Sequence, residues 1–328
     1  MGIFDSRENI KPYEYPQLIE FVNAIDDSFW TVRKFDFERD VKDFKYNLSD
    51  AERSFCERAM LAISQVENTV KSFFGRLDMR LPKPEISFVG AKFAANETTH
   101  SLAYSQSLDV LGLNEDFKKL LEVPAMQGRV AYLKKYLGGL NSRSNKEFTK
   151  SLILFTLLIE NISLYAPFYL MTAIKKNTGK MKSVGKVVSA TIREEQLHSL
   201  FGATLIKIIR KENPDWFDAE MEEKIRRNIR KAVKCEIEVI NWMFENGETD
   251  YLKKEYVVEF LKYRANNSLA LIDYAPEYEL NEDLLQHSKY IDVMQKSQSD
   301  FDFFDDLSTD YNKGVNFDAD SEDLFNDL

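Results

Sequence analysis

Two cysteines, Cys56 and Cys235, are the only thiols in 328 residues. No C-x-x-C spacing joins them, so neither a disulfide framework nor a thiolate metal site is expected. Glycine and proline are scarce, at 12 and 8 residues, while Leu, Lys, Glu and Ala are abundant. That balance points to an all-α chain. The opening MGIFDSRENIKPYEYP holds no apolar run, so no signal peptide is expected and the reading is cytoplasmic. A basic surface is missing too. Net charge is −10, which argues against direct nucleic-acid binding through the phosphate backbone. Ten acidic residues and one lysine fall within 299–328. The charge is therefore a tail, and the rest of the chain is near neutral.

Long hydrophobic runs are absent but for one, SLILFTLLIENISLYAPFYLMTAI at 151–174. It is long enough to span a bilayer. Glu160, Asn161 and Pro167 interrupt it, which a lone lipid-facing helix tolerates poorly. It reads as the central helix of a bundle, with no membrane involved. With 44% hydrophobic residues, the chain has ample material for such a core.

Apolar periodicity predicts helices near 16–28, from the cap Ser49-Asp50 past Lys71, and near 85–111 up to Gly112. Shorter pieces follow at 114–139, then helices near 145–176, 181–212, 217–246 and 250–272. Pro167 cannot donate to the Ser163 carbonyl, so the 145–176 helix should kink or bulge. From about 297 onward Ser, Asp and isolated aromatics dominate, a composition that cannot pack a core alone. The expected organisation is one helical domain, 1–296, and a flexible, disordered acidic tail, 297–328.

The chemistry lies in the histidines. The chain has three, and two of them close Glu-x-x-His motifs, Glu97–His100 and Glu195–His198. Residues three apart share a helix face, so each motif aims a carboxylate and an imidazole at one point. Two such pairs, with one Glu from each of two further helices, form the ligand set of dinuclear carboxylate sites in four-helix bundles. Glu67 and Glu160 stand where those two carboxylates are needed. A set of carboxylates and imidazoles without thiolates suits iron or manganese. Tyr104 follows His100 by one turn on the same face. Glu194 can accept a proton from the far nitrogen of a ligating histidine. Lys71, one turn beyond Glu67, can border the site with a cation and attract an anionic oxidant.

Taken together, SFWTVRKFDFERD, NETTHSLAY, LIENISLYAPF and REEQLH, followed by the acidic tail, resemble the radical-generating small (beta) subunit of class I ribonucleotide reductase. The resemblance covers essentially the whole chain. It implies a ferritin-like helical bundle with additional helices, a homodimer, and six metal ligands: Glu67, Glu97, His100, Glu160, Glu195 and His198. It implies further that Trp30, Glu194 and His100 form the route by which an electron and a proton leave the metal site. Tyr311 would continue that route into the large (alpha) subunit, whose cysteine becomes the thiyl radical. The tail would dock there through residues such as Phe317, Leu324 and Phe325. Glu67 stands where the di-iron members with a stable tyrosyl radical have Asp, yet Tyr104 is retained. That combination resembles the dimanganese subgroup, with two manganese ions as cofactor and superoxide as the expected oxidant; Mn/Fe and Fe/Fe are the alternatives. A ferritin-like metal store, oxidase or monooxygenase shares the scaffold, but leaves the Trp30–Glu194–Tyr311 set unexplained. His287 falls in no motif and is expected to be solvated.

Overall fold

The computed structural model describes residues 2–295, apart from the side chains of 68–71 and 135–138. The tail calls, Tyr311 among them, and the Lys71 side chain lie outside what is described. Among the described residues there is no strand. The principal helices are α1 (Ile19–Asp27), α2 (Asp50–Phe74), α3 (Pro84–Leu111), α4 (Pro124–Leu137) and α5 (Asn145–Thr178). They continue as α6 (Lys182–Glu212), α7 (Ala219–Met243), α8 (Lys254–Leu271) and α9 (Lys289–Gln295). The shorter pieces expected over 114–139 are Asn114–Lys119, a 3-10 turn at Leu120–Glu122, and α4. A short helical stretch at Glu38–Lys42, unmarked by periodicity, precedes α2.

Helices α2, α3, α5 and α6 make the central bundle, with α1 laid over α3 and with α7 and α8 against α5. Local chemistry explains the boundaries. Ser49 and Glu52 form a reciprocal capping box, the Ser49 amide donating to Glu52 at 2.8 Å and the Glu52 amide to Ser49 Oγ at 3.3 Å. Gly112 ends α3 with φ 78°, a left-handed conformation that favours glycine. Helix α6 begins after Met181, whose side chain cannot cap. Asp40 and Asp43 supply the acceptors instead, Asp40 taking the Ser183 and Val184 amides at 3.2 and 2.7 Å and Asp43 the Met181 amide at 3.0 Å.

The apolar stretch of α5 is the core of the bundle, with 94% of its most hydrophobic window buried inside the protein. Its distortion begins upstream of Pro167. Phe155–Ser163 is π-helical, flanked by α-helix over Asn145–Leu154 and Tyr165–Thr178. Side chains donate to the carbonyls of this widened stretch as well. Asn161 Nδ2 donates to the Thr156 carbonyl at 2.9 Å, Ser163 Oγ to Leu158 at 2.9 Å and Ser268 Oγ to Leu157 at 2.8 Å. Ser199 Oγ reaches the Glu160 carbonyl at 3.3 Å and Arg264 Nε the Asn161 carbonyl at 3.2 Å. The Ser163 carbonyl, which Pro167 cannot serve, receives Arg129 Nη2.

Close approach fixes α6 against this segment. A Cβ on Gly202 would lie 2.2 Å from Thr156 Oγ1, so glycine lets the ligand-bearing helix and the π segment touch.

Arg129 is fully buried. It pairs with Glu236 at 3.0 Å and donates to the Ala62 carbonyl at 2.8 Å as well as to Ser163. Removing one member of a buried pair leaves the other charge uncompensated. Arg129→Met should therefore destabilise the protein by about 3–5 kcal/mol. Denaturant unfolding checks this; a loss comparable to that of a surface substitution would show that the pair holds nothing in place.

Candidate metal centre

Each of the four central helices contributes to one buried cluster: Glu67 from α2, Glu97 and His100 from α3, Glu160 from the π segment of α5, and Glu195 and His198 from α6. All six are essentially without solvent contact. Their donor atoms fall into two overlapping groups, each with all atoms within 4.8 Å of one another. One is Glu67, Glu97, His100 and Glu195; the other is Glu97, Glu160, Glu195 and His198. His100 Nδ1 lies 3.3 Å from Glu195, 3.6 Å from Glu97 and 3.8 Å from Glu67. His198 Nδ1 lies 2.9 Å from Glu97, 3.2 Å from Glu195 and 3.6 Å from Glu160. Glu97 and Glu195 therefore face both imidazoles, whereas Glu67 and Glu160 each face one.

The donor set fits a pair of divalent cations. Both oxygens of Glu67, Glu97 and Glu160 are buried with no hydrogen-bond partner, as is one oxygen of Glu195. Buried polar atoms are seldom left this way. Two carboxylates about 4 Å apart repel by roughly 4 kcal/mol at an effective dielectric near 20. Four ionised together would cost more than a typical domain's whole stability, so cations or protons must compensate them.

Around this cluster the aromatic residues are placed unequally. Trp30 Nε1 donates to Glu194 Oε2 at 2.8 Å, and the same oxygen lies 2.7 Å from His100 Nε2. An N–H at Nε2 leaves Nδ1 unprotonated and facing the carboxylates, the tautomer a metal ligand needs. The Trp30 and His100 rings stack, with centroids 6.0 Å apart. Ser28 Oγ reaches the other oxygen of Glu194 at 3.4 Å. Glu194 thus serves His100, while His198 Nε2 has no partner and its ring lies between Phe74 and Phe93. Tyr104 is buried and donates to Thr191 Oγ1 at 3.0 Å. Thr191 was legible in principle, since it precedes Glu195 by one turn on the same face. His287 is exposed as expected, and its ring stacks on Tyr256 with centroids 3.8 Å apart.

Residues 7–283 match the family described as ribonucleotide reductase, small chain. The chain belongs to that family. Small chains of this kind generate the radical with which a ribonucleoside-diphosphate reductase makes deoxyribonucleotides, and this one is such a beta subunit, active only with an alpha subunit. It is 24% identical to the probable ribonucleoside-diphosphate reductase small subunit of Invertebrate iridescent virus 3, over 94% of this chain and 85% of the relative. In fold it is similar to the ribonucleotide reductase R2 subunit from Clostridium botulinum, with TM-score 0.80, 20% identity, and 90% of this chain and 95% of that one covered. The dimanganese(II)-NrdF of Streptococcus sanguinis is another neighbour, with TM-score 0.69 and 14% identity over 89% and 100% of the two chains.

Without cations, the small chain must hold protons. Burial pushes the Glu67 and Glu160 carboxyls well above the usual range, and the neighbouring glutamates push the same way. Burial alone would lower the His100 and His198 imidazoles, but the surrounding carboxylates raise both well above their ordinary value. Burial also opposes the charged forms of Glu97 and Glu195, yet the two imidazoles beside them, and for Glu195 the Glu160 carboxyl, hold them below the usual range. A raised folded-state pKa means the folded protein binds more protons than the unfolded one. Stability from these four groups is present at low pH and is lost as pH rises past the unfolded values of 4.5 and 6.5. Metal-free protein should therefore melt at a lower temperature at pH 9 than at pH 6.5. Adding Mn(II) should displace the protons and raise the melting temperature most at the higher pH. Melting that does not vary with pH, with or without Mn(II), would contradict this account of the cluster.

Proposed function

We propose that Glu67, Glu97, His100, Glu160, Glu195 and His198 hold two manganese ions, with Glu97 and Glu195 shared between them. The observation that carries this reading is the pair of overlapping donor groups with two glutamates in common. When bound, the metal pair supplies the one-electron oxidising equivalent that the alpha subunit's cysteine requires. Glu67 in place of the aspartate of the tyrosyl-radical enzymes favours manganese over a di-iron centre. The Tyr104 hydroxyl is directed to Thr191, which supports an accessory role rather than radical storage.

The protein's own residues supply the exit. Trp30 lies at the edge of the bundle, 6% exposed, and its indole N–H has a carboxylate to receive its proton. Glu194 bridges it to His100, so loss of an electron from Trp30 can be matched by a proton shift onto Glu194 without separating charge in the apolar core. Tyr311 would take the hole onward, with the acidic tail docked on the alpha subunit through Phe317, Leu324 and Phe325. The outward face of α3 carries Phe88, Ala91, Ala95, Thr98 and Leu102, exposed and uncharged. Such a face suits a second copy of the chain and supports the homodimer. Cytoplasmic placement and superoxide as the oxidant complete the reading, the latter drawn in by Lys71.

Low-temperature electron paramagnetic resonance with metal quantification tests the assignment. Activated protein should give a manganese multiline signal and no tyrosyl feature; a sharp radical lost in Tyr104→Phe would place the oxidising equivalent on Tyr104 instead. Trp30→Phe and Tyr311→Phe should leave the metal signal intact and abolish nucleotide reduction, and substantial turnover in either would refute the route. Lys71→Met should slow activation without lowering metal content, an idea that unchanged activation kinetics would remove.

A further inference from the structure

A second tyrosine stands close to the cluster and is surrounded differently from Trp30. Tyr165 follows the ligand Glu160 by five residues on α5 and is fully buried. Burial pushes its phenol up to about 12 against the opposing pull of Arg264, with Glu195 and Glu160 adding to the rise. The Arg264 guanidinium lies over its ring, 3.6 Å from the centroid. Arg264 is 2% exposed, and no carboxylate among the described residues pairs with it. Its donors go to Asn161, at 3.2 Å to the carbonyl and 3.0 Å to the side-chain oxygen, and to Gln295 Oε1 at 3.3 Å. A buried cation without a counterion is costly.

Arg264 also determines which way Gln295 faces. A guanidinium only donates, so the amide oxygen of Gln295 must point toward it. The amide nitrogen is then left to donate to the Tyr165 hydroxyl at 2.7 Å and to Gln196 Oε1 at 3.1 Å. The phenol oxygen accepts a hydrogen bond, and among the described residues no acceptor receives its proton.

We infer that Arg264 excludes Tyr165 from the oxidation chemistry, so that the hole formed at the metal pair leaves by Trp30 and not through a dead-end tyrosine. The inference rests on the dimetal reading above. Oxidising Tyr165 would send one electron to the oxidised centre and the phenolic proton to a base. Two features oppose this. A fixed cation against the ring face raises the energy of a ring that is losing an electron in a medium of low dielectric. The hydroxyl's one hydrogen-bond partner among the described residues is held as a donor and cannot take the proton. Trp30 has the opposite surroundings, with a carboxylate oxygen 2.8 Å from its N–H. None of the hydrogen bonds of Arg264 goes to a metal ligand or to Trp30; it is a positioning residue that acts through Gln295 and the Tyr165 ring.

Electron paramagnetic resonance on the full-length protein, metal-loaded, oxidised and rapidly frozen, tests the inference, with metals quantified in each sample. Arg264→Met removes the charge and frees the Gln295 amide to turn. Gln295→Glu places a base beside the phenol while Arg264 stays in place, and it decides the matter if Arg264→Met does not fold. Each substitution should produce a tyrosyl signal absent from the unsubstituted protein. That signal should narrow with ring-deuterated tyrosine and vanish when Tyr165→Phe is added. Metal-loaded, oxidised variants without a Tyr165 signal would overturn the inference, as would such a signal in the unsubstituted protein. Failure of the unsubstituted protein to show any oxidised metal signal would instead overturn the dimetal reading, and the inference with it.

Discussion

Four carboxylates concentrated in an apolar interior are the constraint on which the bundle depends. Glu67, Glu97, Glu160 and Glu195 come from four different helices, and none gains stability from its neighbours without a cation or a proton between them. The helices must be fixed by contacts elsewhere, so that the cluster is imposed on the fold and does not create it. Those contacts are visible. Phe73 and Phe155 stack with centroids 3.8 Å apart, and Phe74, Phe93 and Phe201 continue the apolar packing around His198. Metal uptake then becomes the relief of a strain that packing has already built in.

The π segment is the most elaborate part of that imposition. A regular α-helix across 155–163 would satisfy its own carbonyls, but would turn Glu160 to a different angle about the helix axis. The widened helix also receives side-chain donors, which arrive from α4, α6 and α8 as well as from the segment itself. Arg129 and Arg264 thus have parallel tasks: each is buried and each donates to a carbonyl of this segment, Ser163 and Asn161 respectively. They differ in charge balance. Arg129 has Glu236, whereas Arg264 has an aromatic face and two amide oxygens. This difference separates a residue that supports the fold from one whose charge acts on a neighbour.

Much of this was legible in the sequence because helices advertise themselves by period and by caps. Gly112 ended α3 where expected, the Ser49 box began α2, and the two Glu-x-x-His motifs lie on α3 and α6 facing one another. The π segment was only half legible. Pro167 announces a missing donor to Ser163, yet the irregularity lies N-terminal to it, where side chains from distant helices donate to the carbonyls. Such donors carry no local signal: Arg129 is 34 residues from the carbonyl it serves and Arg264 is 103 from Asn161. Likewise the division of labour among the glutamates, two facing both imidazoles and two facing one, depends on helix rotation. Sequence spacing along separate helices cannot give it.

The aromatic residues near the centre show what burial alone does not decide. Trp30, Tyr104 and Tyr165 are all buried close to the cluster, so proximity does not select among them. Their proton partners do. Trp30 has a carboxylate, Tyr104 a threonine hydroxyl and Tyr165 the N–H of an amide. A carboxylate can accept a proton at little cost, a neutral hydroxyl accepts poorly, and an N–H held as a donor does not accept at all. Removing an electron from a buried ring while its proton has nowhere to go leaves a cation in a medium that solvates it badly. The same order therefore ranks how readily each ring is oxidised. On the proposed reading, the small chain directs its oxidising equivalent outward by rationing bases, and only Trp30 combines a base with a position at the edge of the bundle.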